Sequence, residues 1–184
     1  MMKLAFQTVL TLFLLFTPFI IQGQTNRDSI KGVINRYAHV TAFDICDARL
    51  TVSDTTGFSK GARLILCQMN GAAVNSSNNS SFGAINDIKN VGKYEVNFVD
   101  SVAGNTLFLR LYLKNEYNTA TAIQIVTYPS FVAAVVTDTL RAKPWDGQAG
   151  GIIAFEAANL TLNAPIIASE AGFRGGAEIG RAHV

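Results

Sequence analysis

The sequence predicts an all-β protein: an N-terminal β-sandwich or barrel-like domain, followed by the first coils of a truncated parallel β-helix-like solenoid. Two observations carry this. Apolar and polar residues alternate with a period of two through most of residues 37–137, as a half-buried sheet requires. From residue 138 onward the apolar runs shorten and Gly and Asn punctuate them closely, which suits strands joined by tight corners. A single coil cannot bury its own face, so on this reading the part starts a longer stack; the residues alone also leave one more hairpin of the upstream domain as the alternative.

The two ends of the chain stand apart from this pattern. Lys3 precedes an almost wholly apolar run from Leu4 to Ile21, and Gln22-Gly23-Gln24 follows. That three-part layout predicts a secretory signal peptide over residues 1–23, with the mature chain starting at Gln24. The membrane is then a partner only during export. At the other end, Ile179-Gly180-Arg181-Ala182-His183-Val184 can be back-translated to ATC GGA AGA GCA CAC GTC, which matches a common sequencing-adapter sequence. Residues 178–184 are therefore expected to be a non-native tail, outside fold reasoning.

Residues 24–36 are polar and predict a flexible leader. His39 to Phe43 and Ala48 to Val52 are the first strands expected, and Asp54-Thr55-Thr56-Gly57 a turn. A strong strand follows at Ala62 to Met69. Residues 70–86, rich in Gly, Ser and Asn, read as a long loop; long helices are not expected in residues 37–177, and Ile85 to Val91, where alternation fails, is the place one would most readily intrude. Lys93 to Val99 places Tyr94, Val96 and Phe98 on one face and Glu95 and Asn97 on the other. In Thr106 to Leu113, Leu107, Leu109, Leu111 and Leu113 share a face. Ala122 to Tyr128 and Phe131 to Val136 complete the first domain. In the region 138–177, Pro144-Trp145-Asp146-Gly147 makes a turn, and short strands are expected at Ile152 to Glu156, Asn159 to Leu162 and Pro165 to Ser169.

Charge excludes one class of partner. Removing Lys3, Arg181 and Glu178 from the 15 basic and 13 acidic residues leaves 13 and 12 over residues 24–177, with no basic cluster. Nucleic-acid binding wants a concentrated basic face, and none is written here. Cys46 and Cys67 are the two cysteines, and in an exported chain they are a candidate disulfide, with two buried small side chains as the alternative. Gly57, Gly61 and Gly71 flank strands, and no helical pattern follows any glycine, so no phosphate-binding loop is expected.

Catalytic chemistry is not written clearly either. His39 is the one imidazole in residues 24–177, and it lies near Asp44, Cys46 and Asp47. On a strand His39 and Asp47 share a side that Asp44 and Cys46 do not, which is too few converging ligands for a zinc site. Asp138, Asp146, Glu156 and Glu170 are spaced irregularly rather than as a catalytic carboxylate pair. The expectation is thus no catalytic, metal or cofactor site.

Two stretches carry a resemblance: LTVSDTTGFSKGARLILCQMNGAAV at 50–74, continued by NNSSFGAINDIKNVGKYEVNFV at 78–99, and KPWDGQAGGIIAFEAANLTLNAPIIASEAGFRGG at 143–176. They resemble the N-terminal regions of large secreted adhesin-like surface proteins of Bacteroidota, which often end in a sorting domain of the type nine secretion or gliding-associated class. The resemblance implies an extracellular or outer-surface location and a structural or binding role toward extracellular glycans or surface proteins, without catalysis. The alternative it leaves is the N-terminal part of a polysaccharide-active β-helix enzyme, a lyase or glycosidase. Ser29, Thr55, Ser101 and Thr139, each preceded by Asp, resemble the O-glycosylation motif of such bacteria. Asp followed by Ser or Thr is also ordinary turn chemistry.

Overall fold

The computed structural model describes residues 27–172 and contains strands and turns but no helix among them. The strands are β1 (Asp28–Gly32), β2 (Tyr37–Asp44), β3 (Arg49–Val52), β4 (Arg63–Gln68), β5 (Ala73–Val74) and β6 (Ile85–Asp87). They continue with β7 (Tyr94–Ala103), β8 (Thr106–Leu109), β9 (Ile123–Thr127), β10 (Ser130–Arg141), β11 (Glu156–Leu162) and β12 (Ile166–Ile167).

Six of these strands close an antiparallel barrel in the order β2-β3-β8-β7-β4-β9. Closure removes the free edges that an open sheet would expose. Val40, Leu50, Leu64, Leu66, Leu107 and Ile125 are fully buried inside it. Burying each such side chain contributes about 1.5–3 kcal/mol relative to leaving it in water. β9 is covered on both faces. Ile123 and Ile125 point into the barrel, while Gln124 and Val126 are buried beneath a neighbouring segment.

That segment, residues 142–155, is not itself a strand; it connects β10 to β11 of a second, parallel sheet of order β1-β10-β11, with β12 also pairing with β10. From Ser130↔Glu156 to Arg141↔Ile167 the pairing of β10 keeps one offset of 26 residues (156 minus 130, 166 minus 140). β11 and β12 are thus one rung, interrupted at a corner but resumed in unchanged register. The barrel lies in sequence between β1 and β10, which are neighbours in this sheet. Ile30, Ala134, Val136 and Leu140 form its core, against Ile34, Phe131, Ile153 and Phe155.

Several expectations change here. Residues 28–32 of the expected flexible leader are a paired strand. With Ile30 as its only large apolar residue β1 shows no alternation, and the register partner of Ile30, Val136, lies more than a hundred residues away. The change of architecture comes not at residue 138 but between Thr127 and Ser130, and β10 runs unbroken through Asp138. Ile152 to Phe155 form no strand, because this stretch serves as cover rather than as a rung. Within the expected loop 70–86 and just beyond it, Ala73 and Val74 pair with Ile85 to Asp87 as a small hairpin, and no helix intrudes there. The expected signal peptide of 1–23 and the expected non-native tail of 178–184 lie outside the described residues.

Barrel and parallel sheet are joined by side-chain amides that imitate strand pairing. Asn35 donates to Thr127 O (2.7 Å) and Ala154 O (2.6 Å) and accepts from Ala154 N (3.1 Å). Gln124 donates to Gly150 O (3.0 Å) and accepts from Gly150 N (2.8 Å). Both amides are almost fully buried, so each must find such partners. Tyr37 donates its hydroxyl to Ile152 O, and Arg63 pairs with Glu156 while lying over the Tyr128 ring at 4.1 Å from its centroid.

Candidate binding face of the barrel

One end of the barrel adjoins the parallel sheet. The opposite end carries the β2–β3 turn and two long loops, 69–93 and 110–122. Strand β7 shows how this free end is built. Its register opposite β4 puts Asn97 beside Leu64 and Glu95 beside Leu66, the inward-facing residues. Tyr94, Val96 and Phe98 therefore face outward. The sequence separated these two sets correctly, but it is the polar set that faces the interior.

The reason lies in loop 110–122. β8 stops at Leu109, so β7 loses its strand partner there. Asn97 replaces it, donating to Leu111 O (2.8 Å) and accepting from Leu111 N (3.1 Å). Glu95 accepts from Lys114 N (3.0 Å) and from the Tyr117 hydroxyl (2.8 Å). Burial, and then the Glu95 carboxylate, push the Tyr117 phenol upward, so it stays a neutral donor. Gln68 accepts from Asn118 N (2.9 Å). Inward polar residues thus tie the loop across the barrel mouth, and Leu113 and Tyr117 close it as part of the core. Leu111 does not share the face of Leu107 and Leu109; it is exposed because the strand has already ended.

The outward side of β7 is left as an apolar strip. Tyr94 is 67% exposed, Val96 39%, and Tyr112, on the segment held alongside by Asn97 and Glu95, 70%. Arg110 lies over the Phe98 ring, 5.2 Å from its centroid. Loop 69–93, which leads into Tyr94, exposes a further aromatic ring at the tip of its β5–β6 hairpin, Phe82 at 70%, next in sequence to the uncharged run Asn75 to Ser81. A side chain of this size exposed alone is ordinary, whereas several grouped on one face mark an interaction surface. The sequence held no signal for Tyr112, which alternation placed within a strand. Tyr94 and Val96 could have been found only by knowing that β8 ends early.

The residues singled out from sequence are dispersed. Cys46 and Cys67 are both free thiols: Cys46 is exposed in the β2–β3 turn, and Cys67 is buried in β4 with its sulfur 3.5 Å from that of Met69. The candidate disulfide is not formed: Cys46 is open to solvent in a turn, while Cys67 is enclosed in the sheet with Met69 and Gln124 as its neighbours. Burial pushes the Cys67 thiol up to about 12, against a smaller opposing effect from Gln124. A thiol reagent at neutral pH should therefore modify one cysteine per folded chain, Cys46, and a second only after denaturation. Two fast-reacting thiols in the native protein would contradict this burial.

His39 places Nδ1 3.1 Å from Ile123 O, away from the acids of the β2–β3 turn. Asp44 accepts from the backbone N–H of Cys46 and Asp47, and both Asp44 and Asp47 pair with Arg49. Among the described residues no three His, Cys, Asp or Glu side chains converge as a metal site. Ser29 shares a hydrogen bond with Thr137 (2.7 Å), and Thr55 donates to Gly104 O (3.2 Å). Ser101 is exposed on β7 beside a register shift, and Thr139 is half-buried on β10.

Of the remaining acids, Asp138 is exposed and accepts from Thr139 N, Glu156 is held by Arg63, and Glu170 lies in a turn at φ 61°. Asp146 caps its turn through Gln148 N (3.0 Å) and Ala149 N (2.9 Å) and pairs with Lys143 (2.7 Å). Burial opposes its ionisation, but Lys143 and the two amides outweigh burial and hold the carboxyl at about 2. A folded value below the ordinary 3.8 makes this contribution complete above the carboxylate range. It is lost as the pH falls from about 4 through about 2. Asp146→Asn should flatten the acid limb of the stability curve in that window. An unchanged limb would show that the cap contributes nothing.

No known protein family matches the chain, and no curated protein matches it. Two solved structures do, both at low similarity. The Gp54 tailspike of Acinetobacter baumannii bacteriophage AP22, solved in complex with A. baumannii capsular saccharide, is 14% identical over 71% of this chain, with a TM-score of 0.34. The tailspike protein gp49 of Pseudomonas phage LKA1 is 14% identical over 62%, with a TM-score of 0.33. The chain spans 24% and 20% of the length of those two proteins.

Proposed function

We propose that the chain is the N-terminal part of an extracellular surface protein, in which the barrel binds a glycan and the parallel sheet begins a β-solenoid that carries it. The observation that supports binding is the outward strip of Tyr94, Val96 and Tyr112, kept exposed while Glu95 and Asn97 are spent inside the barrel. Natural sequences break the rule of apolar-in, polar-out chiefly where a surface has a task. A sugar ring offers an apolar face of C–H groups with a rim of hydroxyls. Tyrosine matches both, with an apolar ring and a polar tip. The neighbouring Asn- and Ser-rich loop supplies uncharged donors and acceptors for the rim.

The solenoid reading rests on the fixed 26-residue offset that β10 keeps with β11 and β12, its parallel neighbours on one side. In this reading the protein is exported by its N-terminal signal, belongs with the adhesin-like surface proteins of Bacteroidota that its sequence resembles, and binds without turnover. The acids of the parallel-sheet region support that last point, since Glu156 and Asp146 are occupied in structural pairs with Arg63 and Lys143.

The test is a panel of bacterial and host polysaccharides screened against the protein, its Tyr94→Ala and Tyr112→Ala variants, and Tyr128→Ala as an aromatic change outside the strip. Saturable binding that weakens about 10-fold or more in either strip variant is expected, in line with the loss of a central aromatic contact. Binding unaffected by both strip variants would reject the strip as the site. Cleavage of any polysaccharide, abolished by Glu156→Gln or Asp146→Asn, would replace this reading with the polysaccharide-active enzyme.

A further inference from the structure

The two sides of the parallel sheet end differently. On the β1 side the outermost strand is closed: Ile30 is 4% exposed, although among the described residues only β10 pairs with β1. On the β11–β12 side the outermost rung is open. Leu160 is 44% exposed, Leu162 60% and Ile166 40%, whereas their registered neighbours on β10, Ala134, Val136 and Leu140, are at most 1% exposed. These are the same three positions of one ladder, so side-chain direction does not explain the contrast. Among the described residues, β10 has a strand on either side of it, and β11–β12 has one on one side only.

The open edge also lacks the usual guards. Exposed edge strands are protected by charged side chains, bulges or cover. No charged residue occurs from Ala157 to Ile167, and the pairing with β10 keeps its register throughout. Pro165 lies at the corner between β11 and β12, outside either strand. An edge with unpaired backbone groups and three uncovered apolar side chains is built to be paired.

We infer that a further parallel rung of the same polypeptide covers β11–β12, in the same 26-residue register, with apolar side chains stacked on Leu160, Leu162 and Ile166. The inference rests on the solenoid reading and extends the β10–β11 interface by one repeat. A second copy fits this edge less well. The other free edge of the parallel sheet is that of β1, and its core residue is already closed over.

Amide hydrogen exchange over residues 156–167 tests this, comparing the 184-residue chain with the product of the intact genomic reading frame. Exchange about 100-fold slower or more is expected in the longer product, as for interior rather than edge strands. Apolar residues are expected 26 positions beyond Leu160, Leu162 and Ile166. Leu162→Lys in the longer product should return these amides to fast exchange while binding through Tyr94 and Tyr112 persists, which separates failure of this inference from failure of the binding reading. Three results would overturn it: a reading frame that closes at residue 184, equally fast exchange in both proteins, or protection in the 184-residue chain that rises with its concentration. The last would assign the edge to a second copy.

Discussion

Gly150→Ala adds a single methyl group, yet it should destabilise the protein by about 3 kcal/mol or more, the range reached when backbone strain and overpacking coincide. Gly150 has φ 125°, a conformation that side-chain-bearing residues rarely adopt. A Cβ there would lie 2.6 Å from Pro144 O and 2.9 Å from Lys143 O. Both are backbone atoms, so neither can swing aside. The residue also cannot shift, because Gln124 holds its N–H and its C=O from within β9. Gly147 is the control. It too has a positive φ, 106°, but open space surrounds the position a Cβ would take. Gly147→Ala should cost about 1 kcal/mol, the conformational part alone. Urea unfolding of the two variants against wild type measures the difference. Equal midpoints would mean that the segment from Ala142 to Phe155 is not packed on β9 as described. Combining Gly150→Ala with Gln124→Leu should cost less than the sum of the single changes, because both break the same contact.

Asn35→Leu is the second large loss expected, about 3–5 kcal/mol, because a leucine of similar size leaves Thr127 O and both backbone groups of Ala154 buried without partners. Asn35 is 2% exposed and touches the end of β9 on one side and the segment before β11 on the other. The change therefore acts on the seam between barrel and parallel sheet rather than on either core. Asn159→Leu is the matching surface control. That amide is exposed and makes a single 3.4 Å contact with Val132 O, so its loss should be within about 0.5 kcal/mol. Calorimetry distinguishes the two cases. A midpoint for Asn35→Leu no lower than that for Asn159→Leu would show that the amide clamp does not join the two parts.

The sequence was most legible where alternation is local and the partner strand is close. The expected strands at residues 39–43, 48–52, 62–69, 93–99 and 122–128 coincide with β2, β3, β4, β7 and β9 to within a few residues. The strands expected at Asn159 to Leu162 and Pro165 to Ser169 were also visible, though the second is only Ile166–Ile167 and Glu156 already opens the first. What could not be read is what depends on distant partners. β1 owes its existence to β10, and a pentapeptide with one buried isoleucine carries no pattern by itself. The inward side of β7 depends on where β8 ends, because Asn97 and Glu95 are acceptable inside only when Leu111, Lys114 and Tyr117 are there to meet them. The strip was hidden for the same reason: alternation separates two faces but does not say which one is wet.

Binding by the barrel through the outward strip of β7 is open to a site-resolved test, NMR of the barrel during titration with the tightest polysaccharide of the panel. Backbone and aromatic shifts should change first and most at Tyr94, Val96 and Tyr112, with Phe82 following, while Ser130 to Arg141 stay still. Saturable shifts confined to the parallel sheet, or spread evenly over the barrel with the two tyrosine rings unmoved, would contradict it.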